Sequence, residues 1–227
     1  MSSAHFDSIA ARYDESLPEH VVEHYLRKRT AFVLAHCPPG AGLDVGCGTG
    51  TLTQRLQRAG YTMTGIDPSE GMLAVLRSRA PEIEAVKASG TALPFPNDRF
   101  GLVIAVAVMH HIADPGAVRL TLSEMARVAA PGGRIVVWDH NPRNPYWGTL
   151  MARVPQDTGQ ERLIGEQELL DGLVAAGARI LVSTQLGLMP DFIPPWAVRP
   201  AATLERAFER TPVLRRLAAH NVIVATK

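Results

Sequence analysis

Cysteine is almost missing: Cys37 and Cys47 are the two thiols in 227 residues. Two thiols make no disulfide framework, and a chain that folds without cross-links fits a reducing compartment. A strong charge of one sign is missing as well, with 23 Lys+Arg against 22 Asp+Glu. The longest basic run is Arg27-Lys28-Arg29, which reads as the solvated face of a helix. Neither the balance nor the triplet gives the electrostatic footprint of a nucleic-acid binder. No apolar stretch approaches the roughly 20 residues that cross a bilayer. Residues 1–9 lack the basic region and apolar core of a signal peptide. No internal repeat or low-complexity tract is present. The expectation is a cytoplasmic protein with a small-molecule substrate, no nucleic-acid partner and no transmembrane segment. At 46% hydrophobic, the chain can bury the core of a single domain.

What is present begins with Leu43-Asp44-Val45-Gly46-Cys47-Gly48-Thr49-Gly50. A short apolar run ends in an acidic residue, breaks into three alternate glycines, and is followed at once by a helical pattern. That is a buried strand, a tight turn and a helix N-terminus. Glycine serves where φ is positive or where backbone must lie against a ligand. The free amides and positive dipole end of the helix favour an anionic group there. A dinucleotide fingerprint wants G-x-G-x-x-G, whereas Gly46, Gly48 and Gly50 give G-x-G-x-G. Cys47 fits this turn as a small residue in backbone contact, not as a nucleophile.

The turn resembles the first motif of the class I S-adenosylmethionine-dependent methyltransferases, in particular the small-molecule family that includes quinone-biosynthesis C-methyltransferases. Later stretches extend the resemblance: Leu93-Pro94-Phe95, Met109-His110-His111-Ile112 and Pro131-Gly132-Gly133 follow in the family's order. It implies an α/β, Rossmann-like fold with a seven-stranded, mostly parallel sheet in the order 3-2-1-4-5-7-6. Within a single domain over 1–227, it implies an N-terminal helical cap at 1–39, a core at 40–185 and 220–227, and an insertion at 186–219. The implied cofactor is S-adenosyl-L-methionine, held by Asp44, Gly46, Cys47 and Gly48 of the turn and by Ala105 on the fourth strand.

Other cofactor positions follow along the chain. Phe6, Ile9, Ala10 and Tyr13 share one face of a first helix; the resemblance folds that helix over the cofactor and makes Tyr13 its contact. Pro18 opens a second helix. Asp67 ends the second strand about 20 residues past the glycines, where an acidic side chain accepts bonds from ribose hydroxyls. Pro68, or Ser69 after it, is expected against adenine, and Ser69 equally suits an N-cap. Where the family carries an aspartate for the adenine amino group this chain has Ser89, a weaker acceptor, with Gly90 and Thr91 beside it.

Catalytic candidates are histidines. His110 and His111 lie at the carboxyl end of a central strand, where open α/β sheets place ligands. Neighbouring side chains diverge and no Cys, His or Asp has matching spacing, so no metal site is expected. If one of the pair meets substrate, His111 is the choice. Residues 138–147, Trp-Asp-His-Asn-Pro-Arg-Asn-Pro-Tyr-Trp, read as a rigid loop beyond a fifth strand at 134–138. On it His140 is placed to take a proton near pH 7, or the loop is simply stapled by its own Asn and Asp side chains. The insertion 186–219 is too long for a hairpin and too apolar for disorder. It is expected to be a substrate-side wall or a homodimer contact, with lipid-surface docking a third role. The overall expectation is methyl transfer to an O, N or C acceptor. Its rivals are a non-methylating enzyme that uses the cofactor structurally and a catalytically silent binding partner.

Overall fold

The apolar spacing of Phe6, Ile9 and Ala10 does form a helix, α1 (Ser3–Ile9), but the turn tightens to a 3₁₀ segment over Ala10–Glu15 that carries Tyr13. The computed structural model describes residues 3–159 and 161–227, so the expected cap from residue 1 and the connector through residue 160 fall partly outside the described residues. After Pro18 comes α2 (Glu19–His36), then β1 (Ala41–Val45), α3 (Thr51–Arg58), β2 (Thr62–Asp67), α4 (Glu70–Arg79) and β3 (Glu84–Lys87). The second half runs β4 (Phe100–Val106), α5 (Pro115–Val128), β5 (Ala129–His140), α6 (Trp147–Leu150), α7 (Glu166–Ala175), β6 (Arg179–Leu186), α8 (Val198–Arg210) and β7 (His220–Thr226). Asp114 caps α5 by accepting from the Gly116 and Ala117 amides, with Pro115 at the first helical position.

The sheet order is β3-β2-β1-β4-β5-β7-β6, with β7 antiparallel to both neighbours. This is the seven-stranded, mostly parallel Rossmann-like arrangement expected. Alternate side chains go to opposite faces, so Leu43, Val45, Val103 and Ile135 pack under α5 and α7. Leu102, Ile104, Val136 and Val224 pack under α2 and α3. Burial on both faces explains the near-continuous apolar run of β4.

Three elements differ from expectation. Strand β5 begins at Ala129, opposite Phe100, and continues to His140, opposite His220. A register shift against β4 accommodates the Pro131-Gly132-Gly133 turn, and beyond Trp138 the pairing with β7 alone carries the strand on. His140 is therefore the last residue of a central strand, not part of the following loop. The insertion 186–219, read from the sequence as apolar, holds α8 and two 3₁₀ turns. Its inner face is charged: Glu205 accepts from His24 at 2.9 Å and from the Leu188 amide at 2.6 Å, and pairs with Lys28 at 2.8 Å. Lys28 also reaches Glu209. Finally, the basic triplet is not one solvated face. Arg27 is exposed and pairs with Glu23, Lys28 faces α8, and Arg29 points inward. At about 100° per residue, three consecutive helical positions cannot share a face. Among the described residues, no helix is long and apolar enough to cross a membrane.

Candidate functional site

Two cavities of ≈ 420 Å³ each open at the carboxyl ends of β1, β2, β4 and β5. Five residues belong to the walls of both: Tyr13, Gly46, Gly48, Ala107 and His111. The glycine turn builds this shared neck. The Gly46 and Cys47 amides donate to the Ile66 carbonyl at 2.8 and 2.9 Å, and the Gly48 amide donates to Asp67 Oδ2 at 3.0 Å. Gly46 has φ 73°, and a Cβ there would lie 2.6 Å from Val108 Cγ2. Gly48 has φ 54°, and a Cβ there would meet nothing within 4 Å. It would project instead into the space the cavities share. Ala107 also has a positive φ, 56°. Such strain in a non-glycine residue collects at functional sites, and here it lies in the neck.

The first cavity takes Asp67, Pro68, Ser89, Gly90 and Thr91 in its wall. Asp67 Oδ1 accepts from the Ser69 amide at 2.8 Å. Burial raises its pKa, and the Ser69 and Gly48 amides oppose that rise. Each oxygen keeps a further lone pair for a ligand. The Ser89 hydroxyl is 2.8 Å from Thr91 Oγ1, so the two act as one polar edge. Ser69 lies in neither wall. It is fully buried as the N-cap of α4, accepting from the Met72 amide and donating to Asp7. Ala105 also lies in neither wall, because its side chain is sealed in the core under α5; the strand end reaches the cavities two residues later, at Ala107.

The second cavity takes Asp44, Cys47, Arg29, His110, His111 and His140. Burial pushes the Asp44 carboxyl up to about 6 despite a 2.7 Å bond from Thr53. The insertion closes the far side through Leu188, Met189, Asp191 and Phe192; Tyr146 joins that wall by donating its hydroxyl to Asp191 and lying edge-on to Phe192, and Trp147 lines the cavity next to it. The cap spans both cavities. Asp7 bonds Ser69 and the Gly71 amide at the start of α4, while Asp14 bonds Thr49 and Arg79. Burial pushes the Tyr13 phenol up to about 12, so it stays protonated as a hydrogen-bond donor.

Sequence reasoning missed Arg29. Its guanidinium lies over Tyr25 and Trp138, 5.7 and 5.9 Å from the ring centroids, and no carboxylate pairs with it among the described residues. Nε is buried without a partner. Burial lowers its pKa, with Tyr25, Tyr13, Asp139 and Asp44 only partly compensating. A desolvated cation with an orphan donor is costly unless something anionic meets it. Only the helical phase of α2 marks Arg29 as inward, and a basic triplet hides that phase.

Asp139 was also passed over. Its Oδ2 accepts from the Val108 and Met109 amides at 3.1 and 2.6 Å, and its Oδ1 from His110 Nδ1 and the His140 amide at 2.7 Å each. Burial would raise this carboxyl, but His110 and the amides hold it below its ordinary value. Burial opposes charge on His110, and Asp139 outweighs it, so that pKa rises. The other rings are driven the opposite way. Burial and His110 lower His111 to about 3. Burial and the neighbouring histidines pull His140 well below 6.5. His140 is stacked between His110 and Trp147, with centroids at 3.9 and 3.6 Å. The adjacent His110 and His111 rings do not diverge: their centroids are 4.0 Å apart. A single turn of 3₁₀ helix (Met109–His111), folded over Asp139, brings them together.

Sheet order, glycine turn and acidic strand end define a class, and comparison with known proteins meets it. Residues 43–137 match the family model described as methyltransferase domain. Together with the sheet order, that match gives the chain the Rossmann-like fold of methyltransferases. The demethylmenaquinone methyltransferase of Renibacterium salmoninarum is 31% identical over 151 residues, 62% of each chain. That of Mycolicibacterium paratuberculosis is 35% identical over 150 residues, 64% of this chain and 62% of the relative. The chain spans about three fifths of the length of these relatives. A methyltransferase from Thermotoga maritima superimposes with TM-score 0.73 at 20% identity, covering 99% of this chain and 98% of that one. The [4+2]-cyclase SpnF does so at 0.64 and 23%, covering 90% and 80%. At such identities the likeness is one of fold, which hosts more than one chemistry.

Proposed function

We propose that this protein transfers a methyl group from S-adenosyl-L-methionine to a small, partly apolar metabolite, releasing S-adenosylhomocysteine. The observation that carries the reading is the neck: two cavities of equal size share one strained glycine-rich wall. The first cavity suits the nucleoside, with Asp67 toward the ribose and Pro68, Ser89, Gly90 and Thr91 around the adenine. The second suits the methionyl group near the turn and the acceptor beyond it. Two features fit the cofactor: the open space over Gly48 and the orphan Nε of Arg29, a counter-charge for the methionyl carboxylate. When bound, the cofactor supplies a sulfonium whose methyl group is already electrophilic.

The protein's part is then alignment and exclusion of water. Tyr13 and His111, in both walls, flank the passage between cofactor and acceptor. His111 is the side chain placed to touch the acceptor, and His140 orients the cluster from its stack. Both rings are neutral and weakly basic, which favours an acceptor that needs no early loss of a proton. Tyr25, Tyr146, Trp147 and Phe192 give a wall for a flat, partly apolar molecule, with 186–219 as its substrate-side cover.

The test uses labelled cofactor against a metabolite panel, with calorimetry of S-adenosylhomocysteine binding alongside. Saturable binding that Asp67→Ala weakens, with label passing to an acceptor, is expected. No affinity for either nucleoside would end the proposal. Consumption of substrate without S-adenosylhomocysteine would move it to a non-methylating reaction.

A further inference from the structure

Methyl transfer by alignment leaves one wall residue unused. Asp157 belongs to the connector between α6 and α7, which the Arg162 amide ties to the His110 carbonyl at 2.9 Å. Among the described residues, Asp157 Oδ1 and the adjacent Gln156 Oε1 are buried without a hydrogen-bond partner. Buried acceptors in native proteins are nearly always satisfied, so two together are suited to meet a donor or a cation. His110 and His111 stand opposite. One ligand atom from each of His110, His111 and Asp157 falls within 4.8 Å of the other two. All three residues line the second cavity.

The backing of this cluster is that of a metal site. A carboxylate only accepts, so the 2.7 Å contact with Asp139 puts the proton of His110 on Nδ1 and leaves the Nε2 lone pair free. Metal-bound histidines are held in this manner by a carboxylate behind them. An alternative trio, His110, Asp139 and His140, also lies within 4.8 Å. Its Asp139 is already committed to three amides and His110 Nδ1, so it orients the ligands without binding the ion. Asp157 lies 46 positions beyond His111, which is why spacing in the sequence shows no third ligand.

We propose that His110, His111 and Asp157 bind a divalent first-row transition-metal ion. Two imidazoles and one carboxylate suit such ions, and three protein ligands leave coordination positions open toward the cavity. Small side-chain movements close the trio to metal-bond distances of about 2 Å. The role of the ion rests on the methyl-transfer reading: it holds an acceptor that carries an oxygen donor next to the neck. Binding of the ion itself does not depend on that reading.

Chelator-treated protein titrated with Co²⁺ alone, followed by visible absorption and calorimetry, tests the site. One ion per chain with visible d–d bands is expected. Asp157→Ala should weaken binding at least about tenfold, and Asp139→Asn, which releases the backing bond, by about 10–100-fold. Circular dichroism and S-adenosylhomocysteine affinity, measured on Asp157→Ala, establish that this variant is folded. Absence of saturable Co²⁺ or Zn²⁺ binding, or equal binding by a folded Asp157→Ala, overturns the proposal. Metal binding without affinity for S-adenosylhomocysteine would leave the site standing and remove the methyl-transfer reading alone.

Discussion

Replacing Arg29 by Met should move stability and cofactor affinity in opposite directions. The methionine stem keeps most of the volume between Tyr25 and Trp138 but removes a desolvated cation whose Nε has no partner. Exchanging buried charge for apolar volume is commonly neutral or stabilising by about 1–4 kcal/mol. Two cation–π contacts are lost, worth roughly 0.5–2 kcal/mol together. At the middle of both ranges the ligand-free protein gains about 1 kcal/mol. At roughly 2–4 °C per kcal/mol for a chain of this size, Tm rises by several degrees at most. Binding behaves otherwise. Hydrogen bonds from a charged donor to a carboxylate contribute about 1.5–3 kcal/mol, so affinity for S-adenosylhomocysteine should fall by roughly 10–150-fold. Thermal unfolding with and without the nucleoside, paired with calorimetry, reads both quantities on one sample. Unchanged affinity together with a Tm lowered by more than about 5 °C would show Arg29 to be structural.

Three other outcomes are expected. Gly48→Val puts a branched side chain into the neck at φ 54°, and should cost about 1–2 kcal/mol in backbone strain while abolishing nucleoside binding in calorimetry. Asp67→Asn keeps the shape but loses the charge that the Gly48 and Ser69 amides share and that the proposed function turns toward the ribose; equilibrium dialysis of the nucleoside should show a loss of about tenfold or more. Glu205 carries a pH signature. Burial alone would raise its pKa, but His24 and Lys28 outweigh that and hold it at about 2, below its ordinary 4.5. A depressed carboxyl contributes stability above its unfolded pKa and loses it as pH falls through the folded one. Roughly 3 kcal/mol should therefore disappear between pH 4.5 and 2, and Glu205→Gln should flatten that part of the acid-unfolding curve.

The strand–turn–helix at 43–50 and the acidic end of β2 were legible because each is a local pattern with one physical solution, whereas the sheet order came through the family resemblance. Gly46 and Gly48 must adopt positive φ, and β4 must be apolar on both faces. What escaped was set by tertiary contact. Arg29 differs from Arg27 only in helical phase, and the reach of β5 to His140 depends on β7, 80 residues later in the chain. Asp157 meets His110 only because the connector folds back on it. Ser69 and Ala105 have the right neighbours in sequence yet face inward, one as a helix cap and the other into the core. Two residues of offset along β4 decide that Ala107, not Ala105, touches the cavities.

The N-terminal cap deserves a last consideration for its fastening. Asp7 clasps it to the start of α4, Asp14 to the glycine turn and to the end of α4, and the chain between them roofs both chambers. A single short segment is thus the common door of two rooms. On the proposed reading, a ligand that enters by lifting this segment opens the neighbouring chamber with it.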